Sequence, residues 1–76
     1  MSHSKVRKIT GKSPVSRRQL EIMQLLADGF TQPEAARELG ISINTVKHSL
    51  WRARDGAGMD TTCSLIAWGF RHGLLT

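Results

Sequence analysis

Residues 31–54, TQPEAARELGISINTVKHSLWRAR, decide the fold, because they describe two short helices joined by a tight turn. Thr31, followed three residues later by Glu34, is a capping box that starts the first helix. Gly40 is suited to end that helix, and Ser42 is suited to cap the next one. Two adjacent alanines in the first helix let the second approach closely. The stretch therefore predicts a helix-turn-helix unit.

The second helix of this unit separates apolar from polar residues. Val46, Leu50 and Ala53 recur at spacings of four and three, so one side should face a core. The other side carries basic and ring-bearing residues: Lys47, His48, Trp51, Arg52 and Arg54. A helix of this kind suits the major groove of duplex DNA. We expect it to span residues 43–54, since Asp-Gly-Ala-Gly at 55–58 reads as an early stop.

Further helices flank the unit on both sides. Ser16 with Gln19 forms another capping box, which predicts a helix from about residue 17 to 28. Downstream, Asp60 or Thr61 is placed to cap a fourth helix that stops at Gly73. No alternating strand pattern is present. The sequence thus predicts an all-α, four-helix domain over residues 15–76.

Residues 1–14 differ in composition and are expected to be a disordered basic arm. Apart from Met1 they hold only two sizeable apolar side chains, Val6 and Ile9, and they end in a glycine-proline breaker cluster. Residues 1–18 carry six cations and no acid, so the rest of a chain of net charge +5 has 5 − 6 = −1. A basic arm on a nearly neutral body favours a polyanionic partner, and Lys5, Arg7 and Lys8 are predicted phosphate contacts.

Composition also argues against several protein classes. No apolar stretch approaches the roughly 20 residues of a membrane span, and no signal-peptide pattern is present. A single cysteine, Cys63, forms neither an internal disulfide nor a thiolate zinc site. The three histidines and six acids show no catalytic or metal-ligating spacing. We therefore expect a cytoplasmic, nucleoid-associated protein that is not an enzyme and needs no metal or cofactor.

The stretch VSRRQLEIMQLLADGFTQPEAARELGISINTVKHSLWRA, residues 15–53, resembles the LuxR/GerE family of helix-turn-helix domains. The most specific pieces are the Leu-Gly-Ile-Ser turn at 39–42, the Thr-Val-Lys at 45–47 and the Gly-Leu-Leu at 73–75. Residues 61–75 are similar to the fourth helix of that family. This resemblance implies that the third helix enters the major groove and that the fourth mediates a two-fold dimer contact.

The resemblance also implies roles for individual residues. The family's base-reading positions correspond to Lys47, His48 and Trp51. For Trp51 there is an alternative, because a tryptophan beside an apolar stripe also fits packing in the core. The family's phosphate-contacting positions fall on Thr45, Ser49 and Arg52. Its self-association face falls on Cys63, Ala67 and Phe70, to which helical spacing adds Ile66 as part of an exposed stripe. Alternatively, Phe70 packs under the N-terminal arm.

These features predict a stand-alone transcription regulator that binds duplex DNA in a sequence-specific manner as a homodimer. Two alternatives remain at this point. One is a module like region 4 of a sigma factor, which binds promoter DNA or RNA polymerase, because TVKHSLWRAR also resembles the recognition helix of that group. The other is an anti-activator that pairs through its fourth helix with a larger LuxR-type regulator.

Overall fold

The computed structural model of the chain describes residues 14–76, which hold four helices and no strand. The helices are α1 (Arg17–Ala27), α2 (Gln32–Leu39), α3 (Ile43–Ala57) and α4 (Thr62–Arg71). The predicted all-α, four-helix class is confirmed for this part of the chain. Most of the predicted arm, with Lys5, Arg7 and Lys8, lies outside the described residues.

Each helix starts at a hydroxyl-bearing N-cap whose side chain accepts the backbone N–H three residues on: Ser16, Thr31, Ser42 and Thr61. The two predicted capping boxes are complete, at Ser16 with Gln19 and at Thr31 with Glu34. The pKa of Glu34 is lowered, because its carboxylate accepts a hydrogen bond from the Thr31 backbone, with further contributions from the Thr31 hydroxyl and from Arg37. These caps satisfy backbone groups that a helix start leaves without partners.

The predicted end of the third helix at residue 54 is wrong, because α3 continues to Ala57 and is capped by Gly58 in the left-handed conformation (φ 71°). An interior glycine costs a helix only about 1 kcal/mol, which packing can offset. Ala57 provides such packing, since it is partly buried against the hydrophobic core. The backbone N–H of Met59 then donates to the Arg54 carbonyl (2.8 Å), closing the helix end.

Gly56 occupies the place where the start of the described chain crosses the end of α3. A Cβ built on Gly56 would collide with the carbonyl oxygen of Pro14. Replacement of glycine by alanine inside a helix ordinarily stabilises a protein by roughly 0.5–1 kcal/mol. Here we expect Gly56→Ala to be destabilising, by about 1–3 kcal/mol, as for other overpacked sites.

Thermal and urea unfolding of the Gly56→Ala variant would measure this effect. The exposed α3 position Asp55 supplies the control, because Asp55→Ala adds no atom near Pro14. A Gly56→Ala variant as stable as the wild type, or more stable, would contradict the close approach of the two segments.

The core lies where α1 and α3 cross, and each of these two helices contacts the other three. Its buried members are Val15, Leu20, Ile22, Met23, Ala36, Val46, Leu50, Ala53, Leu65, Trp68 and Leu75. Trp68 is only 8% exposed and supplies the largest side chain of this set. The end of the chain is held as well, since the Gln24 side-chain amide exchanges two hydrogen bonds with the backbone of Thr76 (2.9 and 3.0 Å). The core thus fixes one side of α3 and leaves its other side outward.

Candidate nucleic-acid interface

The turn between α2 and α3 sets the direction of α3. Gly40 adopts the left-handed conformation (φ 69°) that a side-chain-bearing residue rarely takes. The backbone N–H of the next residue, Ile41, donates to the Ala36 carbonyl (3.0 Å). Ala35 and Ala36 are both buried, and α2 contacts α3. The two helices therefore form the predicted helix-turn-helix unit, in which α3 is the second helix.

One stripe of α3 points away from the core. Asn44, Lys47, His48 and Trp51 follow one another at spacings of three, one and three residues, and all four are exposed. At 3.6 residues per turn, the centre of this stripe lies about 150° around the helix from its buried side. All three predicted base-reading residues thus lie together on one outward surface, which we call the outer stripe.

Trp51 is exposed over 56% of its surface. The alternative prediction that Trp51 packs in the core is therefore wrong. Its ring lies parallel to that of His48, with an interplanar angle of 5° and centroids 6.4 Å apart. The two rings present polar ring nitrogens and flat apolar faces on the same surface. Such a surface is suited to thymine methyl groups, sugars and base-edge acceptors.

The predicted phosphate contacts lie on a flank beside the outer stripe. Thr45, Ser49 and Arg52 share this flank at spacings of four and three; Thr45 and Arg52 are exposed, whereas Ser49 is half-buried. The Thr45 hydroxyl lies 2.9 Å from the Ser42 hydroxyl at the start of α3. The prediction that Arg54 lies on the outward basic side of α3 is wrong. Arg54 is half-buried, and its guanidinium donates to the Thr62 hydroxyl of α4 (3.3 Å).

The cations of the outer stripe and its flank are available to a ligand. Within residues 14–76 the one ion pair joins Arg18 Nε and Glu21 Oε1, at 3.4 Å. Lys47 and Arg52 therefore have no carboxylate partner in this part of the chain. An anionic ligand would not have to displace an internal acid from either residue.

Asn44 is a candidate contact that the sequence reasoning missed. It lies in the first turn of α3, and recognition helices commonly use their first turns to reach base edges. Its carboxamide has the donor and acceptor pair that matches adenine N7 and N6. The signal was available in the sequence, because Asn44 precedes Lys47 by three residues and His48 by four.

The predicted self-association residues are on the outer side of α4. Cys63, Ala67 and Phe70 are exposed, and we call these three residues the α4 surface. Phe70 has 47% of its surface exposed, although phenylalanine is among the residue types most often buried. Ile66 differs, because it is half-buried and packs against the core.

Residues 14–76 lack two further kinds of feature, a metal-binding cluster and a membrane-spanning helix. No three histidine, cysteine, aspartate or glutamate side chains in this range lie close enough together to hold a metal ion. None of its helices has the length and apolar character needed to cross a membrane.

Comparison with known proteins gives one finding. The family model GerE, described as bacterial regulatory proteins of the luxR family, matches residues 13–54. The match covers α1, α2 and the part of α3 that carries the outer stripe, which is 42 of the 76 residues. The α4 helix lies outside it. No curated protein matches the chain.

Proposed function

This chain belongs to the luxR family of bacterial regulatory proteins, so it is a DNA-binding transcription regulator, and we propose that it recognises a specific duplex sequence as a homodimer. The observation that carries the proposal is the outer stripe of α3, where four polar or ring-bearing side chains project directly away from the core. A surface of this kind on the second helix of a helix-turn-helix unit suits insertion into the major groove. The proposed site of action is the bacterial nucleoid.

Each residue of the outer stripe has a role in this proposal. Asn44 pairs with an adenine, and Lys47 donates to the O6 and N7 atoms of a guanine. His48 donates to or accepts from a neighbouring base edge, while Trp51 contacts a thymine methyl group. The flank formed by Thr45, Ser49 and Arg52 contacts the phosphates that border these bases, which fixes the register of the protein on the duplex.

The proposed domain organisation adds a second source of phosphate contacts. Residues 1–14 act as an arm and residues 15–76 as the DNA-binding domain. The packed part of the chain starts at Val15, which is buried, and Pro14 lies against the end of α3 at Gly56. The arm is therefore attached beside the recognition helix, from where Lys5, Arg7 and Lys8 reach the adjacent phosphates.

Dimerisation is proposed to occur through the α4 surface. One recognition helix reads only a few base pairs, so a domain of this kind gains specificity by pairing two of them. A two-fold contact uses the same patch on both protomers, and the exposed ring of Phe70 suits the centre of such a patch. The two α3 helices would then enter successive major grooves on one face of the DNA.

Selection of bound duplexes from a random pool, with footprinting and stoichiometry on the purified protein, tests the proposal. We expect a palindromic site with half-sites about 10 bp apart, occupied by two protomers. The logarithm of the binding constant should fall with the logarithm of salt concentration by about 0.9 per phosphate contact. Lys5, Arg7 and Lys8 replaced together by Gln should reduce this slope and leave the selected sequence unchanged.

Other outcomes would overturn the proposal in identifiable ways. A pool that stays random after selection would exclude sequence-specific recognition. One protomer on an asymmetric site would favour a sigma-like promoter module. Failure to bind any duplex, together with complex formation with a larger LuxR-type regulator, would favour the anti-activator.

A further inference from the structure

An acidic groove runs between α1 and α2. One part has a volume of about 360 Å³ and is lined by Glu21, Gln24, Leu25, Glu38 and Leu39. The adjoining part has a volume of about 460 Å³ and is lined by Asp28, Gly29, Phe30, Glu34, Arg37 and Glu38. Glu38 borders both. We call this surface the acidic trough, since it carries four of the six acids of the chain: Glu21, Asp28, Glu34 and Glu38.

The trough combines an acidic rim with an apolar floor. Leu25 and Leu39 are half-buried and keep part of their side chains open to the groove. Glu21 and Glu38 face each other across it from α1 and α2, and only Glu21 has an ion-pair partner within residues 14–76. A matching ligand is therefore a peptide segment that places apolar side chains between cations.

The chain itself contains such a segment outside the described residues. Residues 5–9 read Lys-Val-Arg-Lys-Ile, with three cations interleaved with Val6 and Ile9, and contain no acid. Apart from Met1 at its start, the arm has no other sizeable apolar side chain. We propose that the acidic trough binds residues 5–9 of the same chain, with Val6 and Ile9 on Leu25 and Leu39 and the cations beside Glu21 and Glu38.

The length of the connecting chain allows this contact. Leu25 lies nine residues after the N-cap Ser16, a rise of about 14 Å along α1. The eight residues from Val6 to Pro14 span up to about 28 Å when extended. The arm can therefore turn back at Pro14 and run along α1.

Because residues 5–9 are covalently linked to the domain, even a weak contact is sufficient for them to occupy the trough for part of the time. A short linker holds the segment near the trough at an effective concentration in the millimolar range. A segment with a millimolar dissociation constant would thus occupy the trough about half of the time. Charge contacts with the two carboxylates of Glu21 and Glu38, together with two partly buried apolar contacts, suit an affinity of this weak order.

The regulatory consequence, unlike the contact itself, rests on the proposed DNA-binding function. The same cations cannot serve the trough and the phosphates at once. An arm held in the trough is withdrawn from DNA. It is released when the base contacts made by α3 offset the free energy of leaving the trough. Docking of the arm would therefore weaken non-specific binding most, because that mode depends chiefly on phosphate contacts.

Methyl NMR spectra of the full chain without DNA test the contact directly. The variant Val6→Ser with Ile9→Ser should shift the methyl signals of Leu25 and Leu39, which are distant in sequence. The variant Glu21→Gln with Glu38→Gln should shift those of Val6 and Ile9. Asp60→Asn removes an exposed acid outside the trough and should shift neither set. The buried Met23 methyl reports whether each variant keeps its fold.

Two results would overturn the contact. Leu25 and Leu39 signals that are identical in wild type and in the Val6→Ser, Ile9→Ser variant would show that the arm does not enter the trough. Shifts that disappear on dilution would show that the segment comes from another molecule.

DNA binding gives an independent readout. Val6→Ser with Ile9→Ser keeps every arm cation, so relief of competition should tighten binding to random-sequence duplex about two- to fivefold, corresponding to a trough occupied 50–80% of the time. Unchanged binding would contradict the competition. Methyl shifts in a protein that binds no duplex at all would support the contact and refute the proposed function instead.

Discussion

Phe70→Asp is expected to convert the protein into a folded monomer and to weaken its binding to a two-half-site operator by about 100-fold or more. Linked recognition of two half-sites exceeds the affinity of either one by a factor on the order of 10² to 10⁴, and a monomer loses this gain. The substitution places a carboxylate where two apolar patches would meet, and burying a charge without a partner is costly. Phe70 is 47% exposed in the protomer, so the core is left intact.

Sedimentation with and without operator DNA measures the first effect, and operator titration measures the second. Arg71→Asp is the matched control, because it introduces the same charge at the next exposed position of α4, about 100° around the helix. It should reduce dimerisation far less than Phe70→Asp does. A wild-type protein that is monomeric both free and on DNA, or a Phe70→Asp variant that still dimerises, would exclude the α4 surface as the interface.

Local chemistry in the sequence was enough to predict where the first three helices start, whereas the cap of the fourth stayed open between Asp60 and Thr61 and is Thr61. Each start depends on a hydroxyl side chain and the backbone three residues later, as at Ser16 and Thr31, so no distant residue has to be known. The end of α3 was mispredicted for the opposite reason. Glycines at 56 and 58 look alike in sequence, but only Gly58 ends the helix, because the preceding turn is held by the packing of Ala57 on the core.

The outer stripe could be predicted in part. Helical spacing from Val46 and Leu50 places Lys47 and His48 outward, and the same spacing would have placed Asn44 there too. The position of Trp51 was ambiguous, since it lies next to the apolar stripe and its burial depends on what the neighbouring helices cover. Which base each of these residues would contact depends on the DNA, so the single chain does not determine it.

Lys47→Ala is expected to weaken binding to the selected operator by about 5- to 140-fold, equivalent to about 1–3 kcal/mol, and to relax preference at one base position. A lysine that donates to guanine O6 and N7 loses both contacts on truncation, and the loss is specific to sites with that guanine. Binding to a panel of operators with single base substitutions measures both effects.

Arg52→Ala is the matched control, because Arg52 is an exposed cation of the same helix that lies on the flank proposed to contact phosphates. Its loss should weaken binding to every operator of the panel alike and reduce the salt slope by about 1. The midpoint temperature of thermal unfolding should change little in either variant. Both side chains are exposed and lack an ion-pair partner within residues 14–76, so truncation leaves no buried group unsatisfied. Uniform weakening by Lys47→Ala across the panel would instead assign Lys47 to a phosphate and leave base reading to Asn44, His48 and Trp51.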